Sequence, residues 1–124
     1  MGLDRQAFLE ALEARRRELV EVEVPTLGGT VHIRRLRVAD LEELGLLSGG
    51  QPSLEALVGL VARSLAAADG SPLLAAEEAS RMAEADLETF LRLFAAAAEV
   101  NGVGSAEELM AGFGGARRED SSIA

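Results

Sequence analysis

Two hydrophobic periods alternate along this chain. From Asp4 onward, Ala7, Phe8, Ala11 and Leu12 recur at three- and four-residue spacing, which predicts an amphipathic helix. Asp4 suits the N-cap. Arg15, Arg16 and Arg17 fall in the last turns, where positive charge complements the helix dipole, and Glu13 precedes Arg17 by four residues in the stabilising order.

The period then drops to two. Val20-Glu21-Val22-Glu23-Val24 and Thr30-Val31-His32-Ile33-Arg34 alternate strictly and flank Gly28-Gly29, so they predict a β-hairpin with the glycines as a two-residue turn. That register sets Val24 opposite Ile33, Glu23 opposite Arg34 and His32 opposite Pro25. A lone hairpin is not stable in water, so its valine face is expected to pack on helices.

Helical spacing returns for a short element over 38–47, with Leu41 and Leu44 on one face, broken at Gly49-Gly50-Gln51-Pro52. Ser53 caps a longer helix running to about Ala67, with Leu54, Leu57, Val58, Val61 and Leu65 as its apolar stripe. Asp69-Gly70-Ser71-Pro72 is a turn. Ala76 to Met82 is expected as a short helix. Ala85 to Val100 is expected as the main helix of the second half, with Leu87, Phe90, Leu91 and Phe94 as its core face and Asn101-Gly102 as its stop. Ser105 and Glu108 form a capping box opening a final short helix. The pattern therefore describes one α+β domain over 1–112, mostly helical with an N-terminal hairpin at about Val20–Val24 and Thr30–Arg34, and a polar tail over 113–124.

Composition narrows the function classes. The 124 residues carry 12 basic and 21 acidic side chains, a formal net charge of −9, with no cysteine. Disulfide frameworks and thiol chemistry are excluded, and no nucleic-acid partner is expected because phosphate repulsion opposes it. Every basic residue is arginine. Charges begin at Asp4 and Arg5, so the first residues do not read as a signal peptide, and no apolar run approaches the length of a bilayer span. Hydrophobic residues reach 48%, yet Trp and Tyr are absent and Phe numbers 4. Alanine supplies much of that content. It suits helices, and it also suits a surface that keeps apolar positions open for a partner.

Catalytic chemistry finds no assembly of groups. His32 is the one histidine; it reads either as a general base or as a solvent-facing strand residue, and neither Cys nor a second His is present to complete a triad or a zinc site. The carboxylate pairs Glu42-Glu43, Glu77-Glu78 and Glu107-Glu108 are adjacent in sequence, so on a helix they diverge by about 100° instead of forming a dyad. Asp69-Gly70-Ser71 lacks the later ligands of a calcium loop, and Gly28-Gly29 lacks the lysine of a phosphate loop. No catalytic residue, cofactor or metal site is assigned. Arg34, Arg35 and Arg37 together with Arg15, Arg16 and Arg17 are candidates for one basic patch, with Glu21, Glu23, Glu42 and Glu43 near enough in sequence to neutralise it.

From about Asp4 to Leu109 the chain resembles the tail assembly chaperones of long-tailed bacteriophages and related prophages. The resemblance rests on the N-terminal helix followed by Val20 to Val24, Pro25, Leu27-Gly28-Gly29 and the basic strand Thr30 to Arg34. It rests also on Ala66-Ala67-Ala68-Asp69-Gly70, Pro72-Leu73-Leu74, Glu77-Glu78, and Leu91 to Gly102 with its Asn101-Gly102 stop. Val100 stands where the family commonly has leucine. The resemblance implies a non-catalytic protein of the host cytoplasm that binds the long tape measure protein and keeps it soluble. It also implies help in polymerising the tail tube around that partner, contact with the major tail tube protein, self-association, and absence from the mature virion. Helix-in-groove contact is a natural mode for such a partner, and Leu46, Leu47 and Phe113 are the candidate contact residues. Two other readings stay open: a virion component such as a head–tail connector or tail completion subunit, and a small DNA-binding regulator using Arg34, Arg35 and Arg37.

Overall fold

The computed structural model describes residues 2–103. Helix α1 (Arg5–Arg17) leads into strand β1 (Leu19–Val24), a 3-10 turn (Pro25–Leu27) and strand β2 (Gly29–Arg34). Helix α2 (Val38–Glu43) and helix α3 (Leu54–Ser64) follow, then a two-residue strand β3 (Leu65–Ala66), a 3-10 segment (Ala76–Glu84) and helix α4 (Leu87–Asn101). The fold is α+β, with a three-stranded antiparallel sheet in the order β1-β2-β3. The final helix expected from Ser105 and Glu108, and the tail after it, lie outside the described residues.

The hairpin forms where the alternation places it, but its register differs. Val20 faces Ile33, Glu21 faces His32, Val22 faces Val31 and Val24 faces Gly29. The turn is not Gly28-Gly29. Pro25 opens a 3-10 turn and Gly28 closes it at φ +73, its N–H reaching back to the Pro25 carbonyl, so Gly29 already belongs to β2. Only glycine holds such a left-handed backbone without strain. Glu23 therefore faces Thr30 instead of Arg34, and His32 faces Glu21 instead of Pro25. The pairing moves by four residues along β2. An even shift keeps every side chain on its face, so Val24 and Ile33 still point inward and are fully buried.

Helix α3 ends at Ser64, three residues before the expected Ala67, because Leu65 and Ala66 turn extended and pair with Ile33 and His32. The unpaired edge of β2 recruits them. Nearly every α3 side chain from Ala56 to Ser64 is buried, whereas Leu54, at its first position, is exposed. Gly59 lets Leu44 lie against α3; a Cβ there would meet Leu44 Cδ2 at 2.5 Å. The turn after β3 is held by Asp69, whose Oδ1 accepts from Ser71 N at 2.9 Å and Ser71 Oγ at 2.6 Å.

The segment Ala76–Glu84 is a 3-10 helix, where the sequence predicts an ordinary short one. Glu78, Ala79 and Met82 are its half-buried positions, and the capping Ala85 is half-buried beside them. Helix α4 buries Phe90 and Phe94 as expected, but its inward face is centred further toward Leu93, Ala97 and Ala98. Phe90, Leu93, Phe94, Ala97 and Ala98 are buried, Leu91 is half-buried and Leu87 is 67% exposed. The alanines let α4 approach α3 and the sheet closely, and Phe90 stacks on Phe94 with ring centroids 5.8 Å apart. The core lies between these two helices and the inner face of the hairpin.

Candidate interaction surface

Helix α1 stands apart from this core. It is well formed locally: the Asp4 carboxylate accepts from Ala7 N at 2.8 Å, Gln6 donates to Glu10, and Glu13 accepts from Arg16 and Arg17. Yet none of its residues is buried. Phe8, Leu9 and Leu12 remain 49%, 41% and 53% exposed. A helix of 13 residues is marginal in water on its own. In folded proteins such a helix draws most of its stability from packing an apolar face. Here, among the described residues, no element buries that face, which stays about half exposed.

Beneath α1 the chain leaves β2 through Arg35, Leu36 and Arg37. Leu9, Leu12, Leu36, Arg15, Arg16, Arg35, Arg37 and Glu13 line a groove of about 570 Å³ between the two segments. A neighbouring cavity of about 560 Å³ brings Arg16 and Arg17 together with Arg34, Arg35 and Arg37. The arginines that the sequence offered as one patch thus do converge. Their counter-charges, however, are mostly not the glutamates expected from sequence proximity. Glu18 meets Arg35 at 3.2 Å, Asp40 meets Arg37 at 3.0 Å, and Glu13 meets Arg16 at 3.0 Å. Of the expected set, Glu43 does pair, but with Arg63 at 2.9 Å. Arg34 is spent on the backbone, its Nε donating to the Arg63 carbonyl at 2.8 Å.

The floor of the groove is fixed by the end of α4. Asn101 Oδ1 accepts from Leu36 N at 2.6 Å, while its Nδ2 donates to the Ala97 carbonyl at 3.0 Å and to Ser64 Oγ at 3.2 Å. Ser64 is fully buried and passes its own proton to the Leu60 carbonyl at 2.7 Å. Arg35 Nη1 donates to the Val100 carbonyl at 2.6 Å. Gly102 then closes the helix at φ +65. The Asn101-Gly102 pair is therefore more than a helix stop: its asparagine joins α3, α4 and the exit of β2.

Asp40 has its carboxyl held below the usual range by the hydrogen bond from Arg37, with the charges of Arg37 and Arg63 acting the same way. Asp86, capping α4, and Asp69, in its turn, are lowered by hydrogen bonds from Thr89 and Ser71. A carboxylate lowered by folding stabilises the native state above its unfolded pKa and loses that effect as pH falls through the folded value. The urea midpoint is thus expected to hold from neutral pH to about 5 and to fall below about pH 4. Asp40→Asn flattens that acid limb if the assignment is right; an unchanged limb refutes it.

Of the contact residues expected from sequence, Leu46 is half-buried against the core and Leu47 is 50% exposed. Phe113 lies outside the described residues. Leu46 and Leu47 do not share the groove under α1. Phe8 and Leu12 were legible as one side of a helix, whereas Leu9 was not singled out; the exposure of all three was not legible. His32 is partly covered, with Nε2 3.9 Å from Glu21 Oε2. Among the described residues, no three acidic or histidine side chains converge as a metal site requires, and no helix is long and apolar enough to cross a membrane.

No protein-family model matches the chain, and neither does any curated protein or solved structure.

Proposed function

We propose that this chain is a non-catalytic tail assembly chaperone. It binds the tape measure protein in the host cytoplasm, keeps it soluble, promotes growth of the tail tube around it, and is left out of the finished virion. The sequence resemblance supplies the identity of the partner. The observation that carries a protein-binding role is the open apolar face of α1, with Phe8, Leu9 and Leu12 exposed on a helix that buries none of its own residues. A long, mostly helical partner with apolar stripes presents the matching surface, and helix-on-helix contact would cover both. The arginines below α1 offer charge-assisted contacts at the rim of that contact.

Co-expression with a tape measure protein from the same phage or prophage tests this reading. The partner is expected to be insoluble alone, and soluble and co-purified with the intact chain. The double variant Phe8→Ser with Leu12→Ser removes exposed groups only, so it is expected to change folding stability by no more than about 0.5 kcal/mol per site while abolishing co-purification. If the partner neither binds nor gains solubility, the chaperone role is refuted. Recovery of the chain from purified particles would instead favour a virion component.

A further inference from the structure

We propose that the cavity at the C-terminal turn of α1 binds a small phosphate monoester, with Arg17 and Arg34 as anion contacts. The cavity measures about 560 Å³ and gathers Arg16, Arg17, Arg34, Arg35 and Arg37, five of the chain's 12 basic residues. It is distinct from the apolar groove beside it. Arg17 and Arg34 line this cavity and not the groove, whereas Leu9 and Leu12 line the groove and not this cavity. An occupant here therefore leaves the apolar face of α1 as it stands.

Charge balance is the first support. Asp40 and Asp69 share the lining, but both are engaged: Asp40 accepts from Arg37 at 3.0 Å and lies 3.6 Å from Arg63, and Asp69 holds Ser71. Arg16 and Arg17 share the single carboxylate of Glu13, at 3.0 and 3.3 Å. Arg35 shares Glu18 with Arg15. Among the described residues, no carboxylate pairs with Arg34. With Arg15 and Arg63 added, seven arginines face Glu13, Glu18, Asp40, Glu43 and Asp69, so two positive charges are unmatched. A phosphate monoester brings about −1.5 to −2 at pH 7; one carboxylate brings half of that.

Preorganisation is the second. Arg34 Nε donates to the Arg63 carbonyl at 2.8 Å, and Arg35 Nη1 to the Val100 carbonyl at 2.6 Å. These bonds fix both guanidinium groups before a ligand arrives, which lowers the cost of binding. The donors left over present the planar fork that fits phosphate oxygens. Size is the third. The volume lies within the roughly 300–1,000 Å³ of small-molecule sites, more than a bare phosphate fills, and Leu19 and Leu36 offer apolar wall to the carbon body of an ester. A compact dianion is also favoured over a long polyanion. The chain as a whole is at −9, and screening over about 8 Å lets a small ligand respond mainly to the arginines beside it.

The test titrates glycerol 3-phosphate into the intact chain at neutral pH and fixed ionic strength, reading the arginine Nε–H signals by NMR. Saturable shifts at Arg34 and Arg35 are expected, with none from glycerol and weaker binding of inorganic phosphate. Arg17→Gln removes only an exposed ion pair from the fold and is expected to weaken binding roughly tenfold, as loss of a charged hydrogen bond does. Arg34→Lys keeps the charge but loses the fork, and a similar loss is expected. Arg81→Gln, outside the lining, is expected to change nothing. Absence of saturable shifts overturns the proposal, and so does unchanged affinity in both cavity variants. Inorganic phosphate binding as tightly as the ester overturns the monoester assignment. A diglutamate peptide binding more tightly than the ester means that the cavity takes an acidic segment of a protein, and overturns it too. Phe8→Ser with Leu12→Ser is expected to leave the titration unchanged, so this proposal and the chaperone reading fail separately.

Discussion

Asn101→Ala is expected to lower stability by about 2–4 kcal/mol, more than a surface asparagine at a helix end would cost. The substitution strands Leu36 N–H without its acceptor and removes the donor shared by Ala97 and Ser64. An unsatisfied polar group away from water costs about 1–3 kcal/mol, and the Leu36 N–H is left as one, while Ser64 and Ala97 each lose a hydrogen bond but keep another partner. Chemical denaturation measures it, and a double-mutant cycle with Ser64→Ala isolates the bond between the two side chains. The cycle is expected to give a coupling of about 1 kcal/mol, since the groups are in direct contact. Additive losses would mean that Asn101 acts only as a helix stop. A secondary signature separates the two roles: loosening of the Arg35–Arg37 segment should speed exchange of the Leu36 amide while α4 itself stays protected.

Phe94→Ala is the other large effect, about 3–5 kcal/mol. Phe94 is fully buried where α4 meets α3 and the sheet, and it stacks on Phe90. Its neighbours Ala97 and Ala98 are too small to fill the void. A domain of this size has a total stability of about 5–15 kcal/mol, so the variant should melt at least about 12 °C lower and is a candidate for outright unfolding. Leu87→Ala provides the contrast. Leu87 belongs to the face that spacing alone would bury, but it is mostly exposed; its loss is expected to stay within about 0.5 kcal/mol. Equal effects at the two positions would contradict the rotation of α4 seen here.

The hairpin was legible because a two-residue period can be read without knowing its partner. Its register was not, because glycine pairs advertise a turn more loudly than Pro25-Thr26-Leu27-Gly28 does. The chain uses the longer loop, closed at Gly28. The expected inward faces survived only because the error was an even number of residues. Helix α3 shows a different limit. Nothing local in Ser64-Leu65-Ala66 ends a helix; the free edge of β2 does, and that edge exists only in the folded sheet. On α4 the bulky side chains suggested one face, whereas the buried one is completed by Ala97 and Ala98, whose value is their small size. For the interaction surface, the amphipathic pattern of α1 was plain. Its exposure was not, since that depends on where the other described elements pack. The meeting of Arg16 with Arg35 and Arg37 is likewise a product of how the strand leaves the sheet.

The asparagine clasp also sets an order of events during synthesis. Leu36 waits for a partner 65 residues further along the chain. At about 5–20 residues per second, the hairpin spends several seconds outside the ribosome before α4 can arrive to cover its inner face. During that interval Val22, Val24, Val31 and Ile33 have only the elements that precede α4, such as α3 and the short β3 strand, to shield them. Glu21 and Glu23, on the outer face of β1, then act as guards: their charge discourages the bare strand edge from pairing with another nascent chain. The same two glutamates contribute little to the finished core, so their worth lies in the yield of folded protein rather than in its melting temperature.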